Sequence, residues 1–297
     1  MWRRWSMLHM RRYEKGCLTP NPYRDWNFKY ALQAAQLLES AGIETSICLA
    51  FDVDRNLELP RGVVLKDLQR ELPTAELLIC FGGDGTILHA SKAATRAGLP
   101  VLGVNIGTMG FMAELEASDM ERLKQLAGDD WHVEERMMLH VRVEHEGKCI
   151  ADEVALNDAV ITKGAVARVV QMSLSCDGVE IVSFSGDGVI LATPTGSTAY
   201  SMSAGGPIVE PSARNIVITP ICAHDLHTKT VVTAANRTIV ATIGRIGRKN
   251  AFLSVDGGRA LRLSAGDRVI VTAASCTTKL VRLSDRSFFD IVRNKFK

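Results

Sequence analysis

The sequence lacks long apolar runs and any surplus of charge of one sign. No stretch approaches the ~20 consecutive apolar residues that a membrane-spanning helix requires. Lys and Arg together number 35 against 33 Asp and Glu, which gives a formal net charge of +2. A chain so close to neutral presents no overall field that would recruit nucleic acid or a charged membrane surface. We therefore expect neither nucleic-acid nor membrane partners.

The sequence also lacks paired cysteines. Its seven cysteines are scattered and none stands in Cys-x-x-Cys spacing, which disfavours both a disulfide framework and a structural zinc site. Free thiols fit a reducing compartment, so we predict a cytoplasmic protein. We name no metal-ligating residues. The basic and aromatic first twelve residues lack the apolar core of a signal peptide, and we expect them to form a loose tail.

What the sequence does have is enough apolar residues for a sizeable core, because 46% of its 297 residues are hydrophobic. This length suits two domains or one large one. Over residues 1–135, helical periods alternate with short apolar runs, which predicts an α/β domain with a parallel sheet flanked by helices. Over residues 136–284, alternating apolar residues and the turn dipeptide Asp177-Gly178 predict a β-rich domain. Residues 285–297 predict a short amphipathic helix.

Individual elements are also predicted from these patterns. Helices are predicted at residues 25–40 and 67–72. Strands are predicted at residues 43–51, 77–81, 99–104, 269–272 and 279–283. Because the first three strands alternate with helices, we expect ligands to bind beyond the carboxyl ends of these strands.

The most informative segment follows the strand at 77–81, where the chain reads Gly-Gly-Asp-Gly-Thr before an alanine-rich helical pattern. Glycines let backbone N–H groups approach a polyphosphate closely, and the start of a helix adds partial positive charge. We therefore predict that the phosphates contact this turn through Gly82, Gly83, Gly85 and Thr86.

Asp84 lies in the middle of this turn, where a carboxylate would repel phosphates unless it has a chemical role. It could hold a magnesium ion, or accept a hydrogen bond from a hydroxyl that attacks the terminal phosphorus. Alternatively, Asp84 merely caps the helix by accepting a backbone N–H bond. Three glycines around one Asp favour the functional interpretation, so we predict phosphoryl transfer.

Two other glycine motifs are excluded. A P-loop requires Lys and then Ser or Thr at the helix start, whereas Gly85 is followed by Thr86 and Ile87. The dinucleotide-binding fingerprint requires a third glycine, which residues 86–88 do not supply.

A second candidate segment, residues 193–207, is rich in small and hydroxyl residues. Such residues bury little apolar surface, so the segment must gain stability elsewhere, for example by wrapping a polar, planar ligand with hydrogen bonds. The alternative is a long surface loop. Within it, Tyr200 could stack on a base or fill the core, and the pattern does not choose between these.

Six segments together resemble the NAD kinases, and the resemblance covers nearly the whole chain from about residue 18. They are residues 82–86, 103–111, 156–158, 193–200 with 205–207, 220–222 and 255–257. The first motif alone is weak, since phosphofructokinases and diacylglycerol or sphingosine kinases carry similar turns. The six in this order are highly specific.

The resemblance implies an N-terminal α/β domain, a β-rich C-terminal domain, and a final helix that returns to the first domain. It implies transfer of a phosphoryl group from ATP, or in some members from polyphosphate, to the 2'-hydroxyl of the adenosine ribose of NAD, giving NADP. ATP would bind with Mg²⁺ or another divalent cation. It also implies a homodimer or homotetramer built through the β domain.

The resemblance also implies site residues. Asp84 corresponds to the proton acceptor of the family, Asn157 and Asp158 to the pair that holds ribose hydroxyls, and residues 198–203 to the adenine-binding stretch. The implied NAD-binding residues are Asp84, Gly85, His89, Phe111, Asn157, Asp158, Asp187, Thr198, Ala199, Tyr200, Ser201, Met202, Ser203 and Cys222. Asp187 and Cys222 correspond to positions that in relatives meet NAD near or across a subunit contact. Many relatives have Gln where this chain has Gly258, which puts one substrate contact in doubt.

Two rival functions use the same features. A lipid or sphingoid-base kinase would share the glycine turn but needs an apolar cleft, whereas Asn157, Asp158 and residues 198–203 are mostly polar. A non-catalytic NAD(P) sensor on this scaffold would be expected to lack the carboxylate, which is present at Asp84.

Overall fold

The computed structural model describes residues 12–50, 59–107, 110–164, 169–225, 228–244, 250–284 and 286–296. Residues 1–11, where we expect a loose tail, lie outside this set. The chain divides into two compact units, and each is described by itself. Unit 1 comprises Met1–Glu135 with Thr278–Lys297, and unit 2 comprises Arg136–Thr277. Unit 1 therefore takes up the chain again at Thr278, earlier than the expected boundary at residue 285.

The strands are numbered in chain order: β1 Lys15–Pro20, β2 Glu44–Ile47, β3 Leu77–Gly82, β4 Val101–Asn105, β5 Leu115–Glu116, β6 His132–His145, β7 Lys148–Ala155, β8 Asp158–Lys163, β9 Val170–Cys176, β10 Val179–Gly186, β11 Gly188–Ala192, β12 Asn215–Ile221, β13 Val231–Ala234, β14 Ile239–Ile243, β15 Ala251–Val255, β16 Leu261–Leu263 and β17 Arg268–Arg282.

The α-helices are α1 Lys29–Ser40, α2 Leu68–Glu71, α3 Asp84–Ala97, α4 Tyr200–Ser203 and α5 Phe288–Lys295. Short 3-10 helices cover Trp26–Phe28, Leu72–Thr74 and Gly196–Thr198, and a longer one covers Ala117–Ala127. No helix of the described residues is long and apolar enough to cross a membrane.

Unit 1 contains the parallel sheet that the sequence predicts. Its strands lie in the order β2-β1-β3-β4, and each neighbouring pair is parallel. Strand β5 and Leu280 of β17 also pair in parallel with β4. All six residues of β3 are buried, as is typical of a strand covered on both faces by helices. The predicted α/β class of this domain is confirmed.

Helix α1 starts later than predicted, because the backbone turns at Asn27 and Phe28, whose φ angles are 54° and 51°. The carboxylate of Asp25, just before this turn, accepts hydrogen bonds from Tyr30 N at 2.9 Å and Ala31 N at 3.0 Å. It thereby satisfies two N–H groups of the first helical turn, which have no partner within the helix. Burial raises the pKa of Asp25, although these two N–H donors oppose the shift.

Unit 2 is β-rich, as the sequence predicts. Six strands form an antiparallel sheet in the order β13-β12-β11-β8-β15-β16, and a second group pairs in the order β10-β9-β14-β17. Their inward side chains form a large apolar core that includes Leu139, Ile161, Met172, Leu191 and Leu253. The alternation of inward apolar and outward polar residues is the feature from which these strands could be predicted.

Two local predictions in unit 2 have opposite outcomes. The hairpin at Asp177-Gly178 is confirmed, since both residues have positive φ angles, 50° and 83°, as a type I′ turn requires. The two strands predicted at 269–272 and 279–283 are wrong as separate elements, because β17 runs unbroken from Arg268 to Arg282. Residues 273–277 between them are at most partly buried, but the extended backbone continues through them.

Glu114 is a buried carboxylate that connects β17 to the rest of unit 1. Its Oε1 accepts hydrogen bonds from Leu283 N at 3.0 Å and Ser284 Oγ at 2.6 Å. Its Oε2 lies 3.3 Å from Nη1 of Arg282, which also donates to the carbonyl of Met112 at 3.1 Å. Nε of Arg282 pairs with Glu134 at 2.7 Å. The end of β17 is thus fixed by charged groups that have little access to water.

We expect Arg282→Ala to destabilise the protein by about 3–5 kcal/mol, because it leaves the buried Glu114 charge without its cation. Chemical denaturation measures the change. The matched control is Arg293→Ala on α5, whose exposed pair with Asp290 should contribute at most ~1 kcal/mol. Equal effects of the two substitutions would contradict the role assigned to Arg282.

Candidate active site

The carboxylate of Asp84 is held by two backbone N–H groups from a different part of unit 1. Asp84 is the first residue of α3. Its Oδ2 accepts from Phe111 N at 2.7 Å and its Oδ1 from Met112 N at 3.0 Å. The N-terminal cap of α3 is Gly83, with no side-chain hydrogen bond. Asp84 therefore does not cap its own helix, and that alternative is wrong.

Gly110 makes this contact possible. A Cβ atom on Gly110 would lie 2.0 Å from Oδ1 of Asp84 and 2.6 Å from its Cγ, far inside the sum of their radii. Any side chain at this position would displace the carboxylate or the backbone of the following residues. The absence of a side chain at Gly110 is therefore a requirement of the Asp84 geometry.

Phe111 makes different contacts in unit 1 through its backbone and through its side chain. Its N–H donates to Asp84, while its buried ring packs against α5, with the Phe288 ring centroid 6.1 Å away. Nζ of Lys295 lies 4.3 Å from the centroid of the Phe111 ring, within the range of a cation–π interaction. The contact of Phe111 with the site is thus made by its backbone.

The glycine turn and the segment after β4 meet at the same edge of the sheet. Gly82 pairs with Asn105 at the carboxyl ends of the parallel strands β3 and β4. The buried amide of Asn105 donates to Glu116 Oε2 at 2.7 Å and accepts from Gly107 N at 3.2 Å. These bonds fix the chain as it leaves β4, which is the location expected for a ligand site in such a sheet.

The predicted phosphate-binding residues differ in exposure. Gly85 is exposed and Gly83 partly so, at the start of a helix whose first N–H groups have no partner within the helix. Thr86 is buried, and its hydroxyl accepts a hydrogen bond from Nδ2 of Asn21 at 3.0 Å. His89 is exposed one turn further along α3. Gly83 and Gly85 are thus accessible, whereas Gly82, at the end of β3, is buried.

In unit 2, Asp256 holds the Asn157-Asp158 turn in place. Its Oδ1 accepts from Asn157 N at 2.8 Å and Asp158 N at 3.1 Å, and its Oδ2 accepts from Leu156 N at 2.8 Å. Asp256 itself has a φ angle of 51°. The motif that contains it is visible in the sequence, but this positioning role is not, since the two segments lie far apart along the chain.

Asp158 is a buried carboxyl close to Asp256. Burial, reinforced by the negative charge of Asp256, raises the pKa of Asp158 to about 7. Asn157 is less buried, and its carbonyl accepts from Thr193 N at 2.8 Å. A Cβ on Gly196 would lie 2.0 Å from that same carbonyl oxygen, so the two segments pack closely. Asn157, Asp158 and the start of the hydroxyl-rich segment are thus brought together.

The hydroxyl-rich segment forms two short helices rather than an extended loop. Ser201 is buried and its hydroxyl lies 2.8 Å from that of Thr219, so this side chain faces inward. Tyr200 is 44% exposed, which excludes the interpretation that it fills the core. The remaining predicted residues of this stretch are at least partly accessible: Thr198, Ala199, Met202 and Ser203.

Asp187 and Cys222 lie together but away from Asp158. Asp187 N donates to the carbonyl of Ile221 at 2.9 Å, and its carboxylate pairs with Lys163 Nζ at 2.6 Å. These residues flank the start of β11, whereas Asp158 pairs with Ala192 at the other end of that strand. The two ends are about 13 Å apart at ~3.3 Å per residue. Unit 2 therefore contains two separate groups of predicted site residues.

Metal ligands are not clustered in the part of the chain that the structure describes. It contains no group of three or more His, Cys, Asp and Glu side chains that could hold a metal ion. Both oxygens of Asp84 are already engaged by backbone N–H groups. These residues fit a cation that arrives with most of its ligands, such as Mg²⁺ on nucleotide phosphates, better than a resident metal.

Two family descriptions match the chain in succession. The description "ATP-NAD kinase N-terminal domain" matches residues 61–128, and "ATP-NAD kinase C-terminal domain" matches residues 156–283. Among curated relatives, the NAD kinase of Acetivibrio thermocellus is 35% identical over 279 residues, covering 94% of this chain and 95% of the relative. The NAD kinase of Ruminiclostridium cellulolyticum is 39% identical over 276 residues, covering 93% and 95%.

Solved structures share the fold. Yeast NADH kinase, crystallised with NADH, superposes with a TM-score of 0.81 at 24% identity, covering 97% of this chain and 87% of that protein. An NAD kinase from Archaeoglobus fulgidus, in complex with ATP, gives a TM-score of 0.72 at 24% identity, covering 95% and 97%. At this level of identity, the likeness establishes the fold alone.

The raised pKa of Asp158 predicts a stability change with pH. Between the ordinary value of 3.8 and about 7, the folded state holds a proton that the unfolded state has lost. Stability should therefore fall as the pH rises through this window. Asp158→Asn removes the ionisation. The free energy of unfolding of the variant minus that of the wild type should therefore rise between about pH 4 and 7 and stay constant above that range. Denaturation curves at several pH values measure the difference, and a constant difference would contradict the effect of burial.

Proposed function

We propose how this chain, which belongs to the NAD kinase family, transfers the terminal phosphoryl group of ATP to the 2'-hydroxyl of the adenosine ribose of NAD, and which of its residues perform each part of this reaction. The proposal rests above all on one observation. Asp84 lies at the start of α3, within a turn of three glycines, and its carboxylate is fixed by the backbone N–H groups of Phe111 and Met112.

Asp84 accepts the proton of the ribose hydroxyl. Each carboxylate oxygen has a second lone pair, so both can accept another hydrogen bond besides the one from Phe111 or Met112. An aspartate is too weak a base to remove a ribose proton outright. In a loose phosphoryl-transfer transition state the hydroxyl keeps its proton until late, so orientation and a late acceptor suffice.

The bond changes balance as follows. The ribose 2'-oxygen forms a bond to the terminal phosphorus while the bond from that phosphorus to the bridging oxygen breaks. The bonding electron pair leaves with ADP, and the hydroxyl proton passes to Asp84. NADP and ADP are the products.

The turn from Gly82 to Thr86 binds the phosphate groups of ATP through backbone N–H groups. The first N–H groups of a helix lack partners within it, and the helix dipole favours negative charge at this end. In α3 the N–H of Thr86 donates to the carbonyl of Gly83 at 2.9 Å, so the N–H groups of Asp84 and Gly85 are the ones proposed to bind phosphate. Mg²⁺ or another divalent cation arrives with ATP, and when bound it offsets negative charge on the phosphate oxygens. Gly83 and Gly85 allow the phosphates to come close, because they present no side chain.

Unit 2 supplies contacts for NAD. Asn157 and Asp158 bind ribose hydroxyls, and Asp256 keeps them in position through the backbone of that turn. The accessible residues of the stretch 198–203 bind the adenine. Among them, Tyr200 has an exposed ring that is available to stack. Ser201, which faces inward, supports this stretch through Thr219. His89 of unit 1 contacts the dinucleotide.

Asp187 and Cys222 form a second group of NAD contacts. They lie at the other end of β11 from Asp158, and we propose that they meet NAD near or across a contact between subunits. This requires a homo-oligomer, a homodimer or homotetramer, built through unit 2. Gly258 has no side chain, so the contact that the resemblance implies for a Gln at this position is missing or replaced. We further propose that the protein works in the cytoplasm.

The rival functions differ in what the site can hold. A lipid kinase requires an apolar cleft, whereas Asn157, Thr198 and Ser203 present amide and hydroxyl groups and are at least partly accessible. A coupled assay tests the proposal: the purified protein is mixed with NAD, ATP and Mg²⁺, and an NADP-specific dehydrogenase reports the product. NADP should accumulate only when all three are present. Failure to form NADP from NAD, or NADPH from NADH, with either ATP or polyphosphate as the donor would contradict the proposal.

We expect Asp84→Asn to lower kcat by at least ~100-fold, because the amide cannot accept the proton. The amide also offers one acceptor oxygen to two N–H donors, so a loss of about 1 kcal/mol in stability is expected. The matched control is Asp119→Asn, at an exposed carboxylate of unit 1, which should retain wild-type turnover. Steady-state kinetics check both variants, and full turnover by Asp84→Asn would refute its role.

Gly110→Ala tests the geometry without changing the carboxylate. The added Cβ would take the space of Oδ1 of Asp84, so we expect kcat to fall by at least ~10-fold from misplacement of the acceptor. The control is Gly128→Ala, where the nearest atom to a Cβ is 3.5 Å away. Wild-type kcat in Gly110→Ala, with a melting temperature equal to that of the control, would show that the position of Asp84 is not critical.

A further inference from the structure

The loop that follows β1 is attached to the glycine turn. Asn21 N donates to the carbonyl of Phe81 at 2.9 Å, directly before the turn. Nδ2 of Asn21 donates to Oγ1 of Thr86 at 3.0 Å, within the turn itself. The backbone and the side chain of Asn21 thus hold this loop against residues 81–86.

Arg24 has a fixed backbone within this loop. Its N–H and that of Asp25 both donate to the carbonyl of Asn21, at 3.0 Å and 2.8 Å. Asp25 is fully buried and accepts from the first turn of α1. Arg24 therefore lies between the anchored residues Asn21 and Asp25. Its side chain starts from a defined point at the edge of the sheet.

The guanidinium of Arg24 reaches the two turns at the carboxyl ends of β3 and β4. Its Nη1 lies 3.4 Å from the position that a Cβ on Gly83 would take, and 3.2 Å from that on Gly107. Side chains at either glycine would crowd it. Arg24 is exposed, and in the described part of the chain no carboxylate forms an ion pair with it. An exposed cation without an ion-pair partner thus lies beside the proposed phosphate site.

We propose that Arg24 binds the terminal phosphate groups of ATP and stabilises their charge during transfer. This inference rests on the proposed function, in which the glycine turn binds ATP. A guanidinium carries five N–H donors in a planar arrangement that matches two phosphate oxygens at once. Charge on the oxygens of the transferred group is what such a donor stabilises in phosphoryl transfer. The cation also offsets the repulsion between the phosphates and the nearby Asp84 carboxylate.

The kinetic test uses Arg24→Ala and Arg24→Lys in the full-length chain. We expect Arg24→Ala to lower kcat/KM for ATP by at least ~10-fold, because charge-assisted hydrogen bonds to phosphate are lost. KM for NAD should stay within about twofold of the wild type, since the acceptor is bound by other residues. Arg24→Lys should recover part of the loss, because it restores the charge but not the two-pronged geometry.

The matched control is Arg96→Ala, at an exposed arginine in the last turn of the same helix that begins at the glycine turn. It should leave KM for ATP and for NAD unchanged. A purely structural role for Arg24 would instead change both KM values, or lower the melting temperature without changing the ratio between them. Either of those results would overturn the inference.

A binding measurement without turnover locates the contact. Titration calorimetry of the wild type and of Arg24→Ala with Mg-ATP and with AMP should show ATP weakened by at least ~10-fold and AMP unchanged, because AMP lacks the terminal phosphates. Equal loss for both nucleotides, or no loss for either, would overturn the inference. An inactive wild type would contradict the proposed function itself, whereas an active wild type with unchanged Arg24→Ala would contradict only the role of Arg24.

Discussion

The hydrogen bonds from Phe111 N and Met112 N to the Asp84 carboxylate are the constraint on which the site in unit 1 depends. They turn the first side chain of α3 away from its own helix and toward the segment after β4. They also explain why residue 110 has no side chain, since a Cβ there would occupy the place of a carboxylate oxygen. These two hydrogen bonds thus link the glycine turn and the start of α3 to the segment after β4.

Other residues of unit 1 fix the two residues that donate to Asp84. Arg282 donates to the carbonyl of Met112 and pairs with Glu114, while the Phe111 ring packs against Phe288 of α5. The residues that hold Asp84 are therefore themselves held by the last part of the chain. A buried ion pair is poor evidence of net stability, but here Arg282 also fixes Met112, whose N–H donates to the Asp84 carboxylate. Unit 2 uses the same device, in which Asp256 fixes the backbone of Asn157 and Asp158.

Much of this could be predicted from local patterns. The apolar run of β3 and the period of α3 are each contained in one window of sequence, and the turn at Asp177 is specified by two residues. The kink at Asn27 and Phe28 could not be predicted, because it depends on the buried carboxylate of Asp25. The partners of Asp84 and the position of Arg24 also lie beyond any window, since they join segments that only the sheet brings together.

If Asp84 accepts the proton of the reacting hydroxyl, the two groups must lie within hydrogen-bond distance of each other. A crystal structure with NAD and a non-hydrolysable ATP analogue would give the separation between the ribose 2'-oxygen and the nearer carboxylate oxygen of Asp84. We expect a hydrogen-bond distance of about 2.6–3.2 Å, with the bonds from Phe111 and Met112 still in place. A carboxylate turned toward bulk water, with the ribose hydroxyl on another group, would contradict it.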